Sequence, residues 1–244
     1  MKSILILLLF PLLLSAQDYP DAETIIRKVD KNMTAKSTEM KSKMIIYGRR
    51  NTRTLTAHSY SRGDHESYTE YLSPAREKGT KMLKLKDRLW IYSPSTDRTI
   101  QISGHMLRQS VMGSDMSYED VMEDRELLDI YTAKIVGEEE IDGRKTWVVE
   151  MNAKVDDATY ESRKAWIDQE RYVPLKEELY AKSGQLLKRV QLGDVKKIGN
   201  RWYPTKMNYK DVLKKGKGTD FIVENIKFDQ DIPDYVFSKA SLKK

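Results

Sequence analysis

The sequence contains no cysteine among its 244 residues. A chain without thiols cannot form a disulfide framework, and it cannot use a cysteine nucleophile or a cysteine-based lipid anchor. The three histidines, His58, His65 and His105, are scattered, whereas a structural zinc site needs four ligands in a defined cage. His58 and His65 could still face each other across a hairpin. The sequence also lacks a Gly-x-Ser-x-Gly elbow and a phosphate-binding glycine loop. We therefore expect no catalytic residues, no metal site and no cofactor.

Long apolar runs are confined to the beginning of the chain. The run from Ile4 to Leu14 follows a short positive start and precedes the small residues Ser15 and Ala16. This order is typical of a cleavable signal peptide, and the run is short for a membrane span. We predict a signal peptide over residues 1–16 rather than a retained anchor, and hence export from the cytoplasm. No linker rich in Gly, Ser or Pro follows, so residues 17–244 are predicted to form a single domain.

Strong clustering of charge is also missing. The formal net charge is +6, and the basic residues are interspersed with acidic ones. A nucleic-acid-binding protein would show a clustered basic stripe, so we expect no nucleic-acid partner. The small basic excess slightly favours transient contact with anionic membrane surfaces.

Two periodicities organise the remainder of the chain. Apolar residues at helical spacing, with Asp21 as N-cap, predict a helix from Tyr19 to Met33. From Met40 onward the period is two, with turn signals such as Asp142-Gly143 between the runs. We predict roughly ten to twelve antiparallel strands.

The stretch "SVMGSDMSYEDV", residues 110–121, interrupts the strand pattern. Its carboxylates could belong to a calcium loop or to an acid–base pair, but they lack the alternating ligand order of such a calcium loop. They fit the start of a helix better, with Ser117 as N-cap and acidic residues in the first turn. We expect Gly113 to turn the chain, and one helix or two short helical turns to continue to Leu128.

Some strands carry apolar residues on both faces, which is unusual for a sheet with one solvated side. Trp90 and Tyr92 alternate with Leu89 and Ile91, and Trp147 begins a similar run. One face could pack a helix while the other lines an apolar cavity. Both faces could equally be buried in a core.

The chain resembles the outer-membrane lipoprotein-sorting protein family, which is similar in fold to the lipoprotein carrier LolA and the receptor LolB. Four segments carry this resemblance: "LWIYSPSTDRTIQI", "SVMGSDMSYEDV", "WIDQERYVPLKEELY" and "GNRWYPTKM". Met116 stands where Phe would be expected. The resemblance implies a mainly β fold with covering helices, in which a strongly curved antiparallel sheet forms an incomplete, half-open β-barrel.

The resemblance also implies a periplasmic protein without catalytic activity. It would shield the acyl chains of a lipoprotein or lipid in an apolar cavity for transfer toward the outer membrane. The alternative is an accessory of a lipid-exporting inner-membrane transporter, without carrier activity of its own. The expected cavity-lining residues are Leu83, Leu85, Trp90, Tyr92, Trp147, Val149, Met151 and Trp166. The expected cover or lid residues are Met106, Met112, Met116, Tyr118 and Met122. A register error of one residue would swap every predicted strand face.

Overall fold

The structure is a computed structural model that describes residues 19–48 and 51–243. The predicted signal peptide over residues 1–16 lies outside these residues. None of the helices in the described ranges has the length and apolar character of a membrane-crossing segment.

The described residues form thirteen strands in one antiparallel sheet. The strands are β1 (Ser37–Tyr47), β2 (Thr52–Arg62), β3 (Glu66–Ser73), β4 (Lys81–Leu85), β5 (Arg88–Ser93), β6 (Arg98–Ile102), β7 (Tyr131–Ile141), β8 (Arg144–Ala153), β9 (Ser162–Asp168), β10 (Pro174–Tyr180), β11 (Leu186–Ile198), β12 (Arg201–Asp211) and β13 (Gly218–Phe228). The spatial order runs β6-β5-β4-β3-β2-β1-β13-β12-β11-β10-β9-β8-β7. Because β6 and β7 stay at opposite edges, the sheet is not closed into a barrel. The predicted mainly β, half-open fold is confirmed, with one strand more than the upper end of the predicted count.

The helices are few and short. They are α1 (Ala22–Met33), α2 (Tyr118–Met122) and α3 (Leu127–Ile130), with 3₁₀ turns at Gly104–Arg108, Val111–Gly113, Asp234–Phe237 and Lys239–Lys243. We call residues 103–130, which connect β6 to β7, the covering segment. The sheet face that α1 and the covering segment contact is called the inner face, and the opposite face is the outer face.

Helix α1 covers the inner face of β7 to β9. Asp21 caps it by accepting a hydrogen bond from the Thr24 backbone N–H at 2.8 Å. The buried side of the helix packs on apolar strand residues that include Val149 and Met151. The predicted helix and its N-cap are confirmed, and the helix begins three residues after Tyr19. Its buried residues are Ile25, Ile26 and Val29.

The turns between neighbouring strands follow the predicted signals. At Asp142 and Gly143, φ is +49° and +76°, in the left-handed region that two-residue hairpins need. This turn joins β7 to β8, which pair with Ile141 opposite Arg144. The predicted hairpin is therefore confirmed.

The C-terminal turns cover part of the outer face. Phe237 and Leu242 are buried against Leu83 on β4 and Trp90 on β5. These strands therefore have one face under the C-terminal turns and the other under the covering segment. Burial on both sides explains why their sequence is apolar at successive positions.

We expect Ile26→Ala to destabilise the fold, because Ile26 is fully buried between α1 and the sheet. Removing a buried isoleucine side chain typically costs about 2–5 kcal/mol. Urea denaturation would measure the loss. The control Ile100→Ala removes a side chain that is 50% exposed, and an equal loss for both variants would contradict this account of α1.

Candidate functional site

An apolar cavity of about 230 Å³ lies between the inner face and the covering segment. Its floor is formed by β1 to β4 and Phe221 of β13, and its roof by Val111, Met116 and Val121. The remaining lining residues are Thr38, Met40, Ser42, Met44, Leu55, Ala57, Ser59, Tyr60, Ser61, Ser67, Thr69, Tyr71 and Met82.

Small side chains produce this cavity. On β2 the inner positions beyond Leu55 are Ala57, Ser59 and Ser61, and Thr69 lies opposite Ser59 on β3. In a well-packed interior such positions would carry large apolar residues that fill the space. Here, the small side chains of Ala57, Ser59 and Ser61 leave the space above them unfilled. Several lining residues carry a hydroxyl group, but most of the cavity surface is apolar and none of the lining side chains is charged, so the space suits an apolar ligand.

A second compartment of about 330 Å³ adjoins the first one. Met116 borders both cavities, so its side chain separates them. The second compartment contains buried charge, including Arg163, which pairs with Glu177 at 3.1 Å. The apolar cavity alone is smaller than the 300–1,000 Å³ typical of ligand sites. Displacement of Met116 would join the two compartments and bring the space into that range.

The covering segment folds through local capping. Ser117 and Asp120 form a capping box, in which the Ser117 backbone N–H donates to the Asp120 carboxylate at 2.6 Å and the Asp120 N–H donates to Ser117 Oγ. Gly113 has φ of +76° and turns the chain before this helix. The predicted turn and the N-cap are confirmed, and of the two predicted alternatives, one helix or two short helical turns, the structure has the second.

Asp115 holds the middle of the covering segment against the sheet. Its carboxylate accepts hydrogen bonds from Thr219 Oγ1 at 2.8 Å and from the Asp211 backbone N–H at 3.0 Å. The Asp115 backbone N–H donates to Thr219 Oγ1. Since Asp115 and Thr219 are both buried, loss of either partner would leave an unsatisfied polar group inside the protein.

Asp120 forms a second anchor. Its carboxylate contacts Lys188 of β11 and accepts a hydrogen bond from the Tyr160 hydroxyl. Burial alone would raise the pKa of Asp120, but Lys188, Tyr160 and the Ser117 N–H together hold that pKa below its ordinary value. Asp120 is therefore the ionised partner of a buried ion pair that ties α2 to the sheet.

The far end of the segment is tied by Asp124. Its carboxylate lies 2.8 Å from His65 Nδ1 and 3.3 Å from the buried Lys84 Nζ. Burial lowers the pKa of Lys84, although Asp124 opposes that shift. Near the other end of the segment, Arg53 donates to the Met112 carbonyl at 2.7 Å. The roof of the cavity is thus held by polar contacts on several strands.

The environment of Asp30 on α1 disfavours the ionised form of its carboxyl group. It borders the second compartment and forms no ion pair within the described residues. Burial, reinforced by the charges of Glu126 and Asp64, raises its pKa from 3.8 to about 6. The folded protein therefore keeps the Asp30 carboxyl protonated up to a higher pH than an exposed aspartate would be.

We expect the contribution of Asp30 to the free energy of unfolding to fall as the pH rises from about 4 to 6. In that window the folded state binds more protons at Asp30 than the unfolded state does. Asp30→Asn, which mimics the neutral form, should stabilise the protein by about 1–2 kcal/mol at pH 8 and by much less below pH 4, after discounting for partial exposure.

Denaturation at several pH values would measure this difference. Asp87→Asn is the matched control, because the Asp87 side chain is 89% exposed. A pH-independent effect of Asp30→Asn, or an equal effect of the control, would contradict the assignment.

The eight predicted lining residues fall into three groups, none of which borders the apolar cavity. Leu83 and Trp90 are buried under the C-terminal turns on the outer face, with Leu85 and Tyr92 beside them. Trp147, Val149 and Met151 lie on the inner face beneath α1. Trp166 is buried and donates a hydrogen bond from Nε1 to Glu139. Contact of these residues with a ligand stays a prediction.

The five predicted cover residues all lie in the covering segment. Tyr118 is buried in an apolar cluster with Met82 and Leu89, and Met106, Met112 and Met122 pack against this cluster. Met116 is the member that lines the apolar cavity. Whether the segment moves as a lid stays a prediction.

His58 and His65 do not face each other across the hairpin that joins β2 to β3. The register of β2 and β3 puts Glu70 opposite His58, and His58 pairs with Glu39 at 3.1 Å. The described residues include no cluster of three or more His, Asp or Glu side chains suited to a metal ion. The acidic residues Asp115 and Asp120 act as anchors of the covering segment.

Sequence reasoning missed most of the cavity floor. The available signal was the alternation of β1 and β2, where inner positions such as Met44 and Leu55 are apolar while Ser42, Ala57 and Ser59 are small. The prediction instead favoured strands that carry aromatic residues, such as Trp90 and Trp147, as the lining of the cavity. The anchors to Lys188 and Thr219 join residues 68 and 104 positions apart, and no local pattern predicts such contacts.

Comparisons with known proteins agree with this architecture. A family model with the description "-like: Uncharacterized protein" matches residues 63–244. No curated protein matches the chain.

Several solved structures have a similar fold. A domain described as an outer membrane lipoprotein-sorting protein domain, from Vibrio parahaemolyticus, is 22% identical, with a TM-score of 0.78 over 92% of this chain and 100% of that one. A DUF1329 family protein from Desulfovibrio piger is 24% identical, with a TM-score of 0.80 over 90% and 96%. A LolA superfamily protein from Nitrosomonas europaea is 24% identical, with a TM-score of 0.75 over 91% and 100%. At these identities the likeness shows a shared fold.

Proposed function

The chain belongs to the family whose model matches residues 63–244 and has the LolA-superfamily fold, and from this premise we propose that it binds acyl chains of a lipid or lipoprotein. The observation that carries the proposal is the apolar cavity under the covering segment. One solved structure with the same fold is described as an outer membrane lipoprotein-sorting protein domain. The proposed role is that of a non-catalytic periplasmic carrier, made as residues 17–244 after removal of residues 1–16.

The energetics of acyl chains favour such a cavity. Each methylene group removed from water contributes about 0.8 kcal/mol, so a lipid chain crossing an aqueous compartment needs continuous shielding. A carrier must also release its cargo, which a rigid, fully packed pocket would prevent. Met116 and Val121 line the roof, and methionine adapts to irregular apolar ligands because its side chain is unbranched and flexible.

Polar anchors position the roof of the cavity against the sheet. The contacts of Asp115 and Asp120 are directional and depend on buried partners, so the segment has a defined closed position. Moving the segment away would expose the cavity and also the apolar cluster of Tyr118, Met82 and Leu89. A cargo chain that enters the cavity would replace part of that lost apolar contact.

We expect Ser59→Phe to weaken acyl-chain binding, because the ring would occupy the floor of the apolar cavity. The protein would be delipidated and titrated with a fluorescent fatty acid, and the affinity should fall at least tenfold. Thr54→Phe is the matched control, since Thr54 is exposed on the opposite face of the same strand. Wild-type affinity of Ser59→Phe, with thermal unfolding showing an intact fold, would refute the cavity as the binding site.

Trp90→Ala tests whether the ligand binds in the apolar cavity described above or against the lining residues predicted from the sequence. Trp90 is buried under the C-terminal turns, so its removal should cost about 3–5 kcal/mol of stability. Binding by the folded fraction should be unchanged. A tenfold loss of affinity in the same fatty-acid titration, under conditions where the variant is folded, would instead place the ligand against Trp90.

Transfer distinguishes a carrier from an accessory of an inner-membrane transporter. Purified protein would be loaded from donor vesicles, separated from them by flotation and mixed with acceptor vesicles. Appearance of labelled lipid in the acceptor fraction supports the carrier. Binding without transfer would favour the accessory role.

A further inference from the structure

The tip of the β12–β13 hairpin, residues 210–217, combines an exposed apolar side chain with a cluster of lysines. Leu213 is 65% exposed, the highest value among the large hydrophobic residues that the structure describes as exposed. Within these eight positions lie four lysines, Lys210, Lys214, Lys215 and Lys217, against one acidic residue, Asp211. An exposed leucine surrounded by lysines is complementary to the surface of an anionic membrane, which has an apolar interior and negatively charged headgroups.

Two of these lysines are available to an external partner. The side chains of Lys215 and Lys217 form no hydrogen bond or ion pair with any of the residues that the structure describes, and both residues are exposed. The tip also packs closely against the end of β1. Gly216 has φ of +118°, and a Cβ atom there would lie 2.8 Å from the Tyr47 carbonyl oxygen, so the hairpin passes close to the end of β1.

The same tip holds the roof of the cavity. Lys214 Nζ donates to Ser110 Oγ at 2.6 Å and to the Ser114 carbonyl at 2.9 Å. The Asp211 backbone N–H donates to Asp115. Between these attachment points lies Val111, and directly after them Met116, whose side chains line the cavity.

We propose that the β12–β13 tip docks on an anionic phospholipid bilayer and that docking loosens the covering segment. Leu213 enters the interfacial region while Lys215 and Lys217 contact lipid phosphates. Lys214 then exchanges its contacts with Ser110 and Ser114 for phosphate oxygens, which are stronger acceptors for an ammonium group. This inference rests on the proposed function and extends it, because it couples opening of the cavity to the arrival of the protein at a membrane.

Docking is measured with delipidated protein, so its outcome does not depend on cargo binding. The protein would be floated with vesicles of equal parts phosphatidylglycerol and phosphatidylcholine, and with phosphatidylcholine alone. We expect binding to the anionic vesicles, weakened by 0.5 M NaCl because salt screens exposed charges. Equal binding to both vesicle types, or none to either, would overturn the proposal.

Variants locate the docking surface. Leu213→Glu should reduce partitioning at least tenfold, and the double variant Lys215→Gln/Lys217→Gln by roughly twenty-fivefold, since each lysine near an anionic surface contributes about fivefold. The matched control is Lys196→Gln/Lys197→Gln, which removes two exposed lysines near the opposite end of β12. A loss in the control equal to that in the tip variant would show that only net charge matters. Unchanged binding of Leu213→Glu would likewise overturn the apolar contribution.

Coupling to the roof is measured by hydrogen exchange of residues 110–116. Anionic vesicles should accelerate exchange of these amides in the wild-type protein, while Lys214→Met should show fast exchange without vesicles and little further change on adding them. Exchange that is unaffected by docking would overturn the coupling. If fatty-acid binding fails while docking succeeds, the proposed cargo is wrong and the membrane contact stands.

Discussion

The apolar inner face of an unclosed sheet has to be kept from water, and this constraint explains most of the structure. The two edge strands, β6 and β7, are consecutive along the chain but lie at opposite ends of the sheet. The connection between them must therefore cross a face of the sheet, and it crosses the inner one as the covering segment. Helix α1 shields the part of that face formed by β7 to β9. The covering segment thus both connects β6 to β7 and shields apolar residues of the inner face from water.

The covering segment depends on the sheet for its own structure. Helices α2 and α3 contain five and four residues, far below the length at which an isolated helix is stable in water. Their positions come from the capping box at Ser117 and from buried contacts of Asp115 and Asp120 with the strands. Since a buried ion pair gains little stability over an apolar pair but loses much when one partner is removed, these contacts specify position more than they add stability.

The cavity is a consequence of residue size on the inner face. Ala57, Ser59 and Thr69 leave space that Met116 and Val121 only partly fill from above. Lipid binding, an adjustable roof and a membrane-directed hairpin tip form one consistent scheme, because Lys214, at the tip that would meet the bilayer, also holds the roof. In this scheme the acidic stretch has a mechanical role, and its carboxylates serve as attachment points.

The sequence by itself determined the elements whose signals are local. Helix α1, its cap at Asp21, the turn at Asp142-Gly143 and the capping box at Ser117 all follow from hydrogen bonds and apolar spacing within a few residues. The open antiparallel sheet followed from the strand pattern together with the family resemblance.

Only the tertiary structure decided which sheet face borders the cavity. Strands β4 and β5 carry buried apolar residues on both faces, because the C-terminal turns cover one face and the covering segment covers the other. Alternation therefore could not distinguish Leu83 from Met82, and the aromatic residues favoured the outer face. The attachments of Lys188 and Lys214 to the covering segment also join residues far apart in the chain. Such contacts depend on how the whole sheet is assembled, and a local residue pattern carries no record of them.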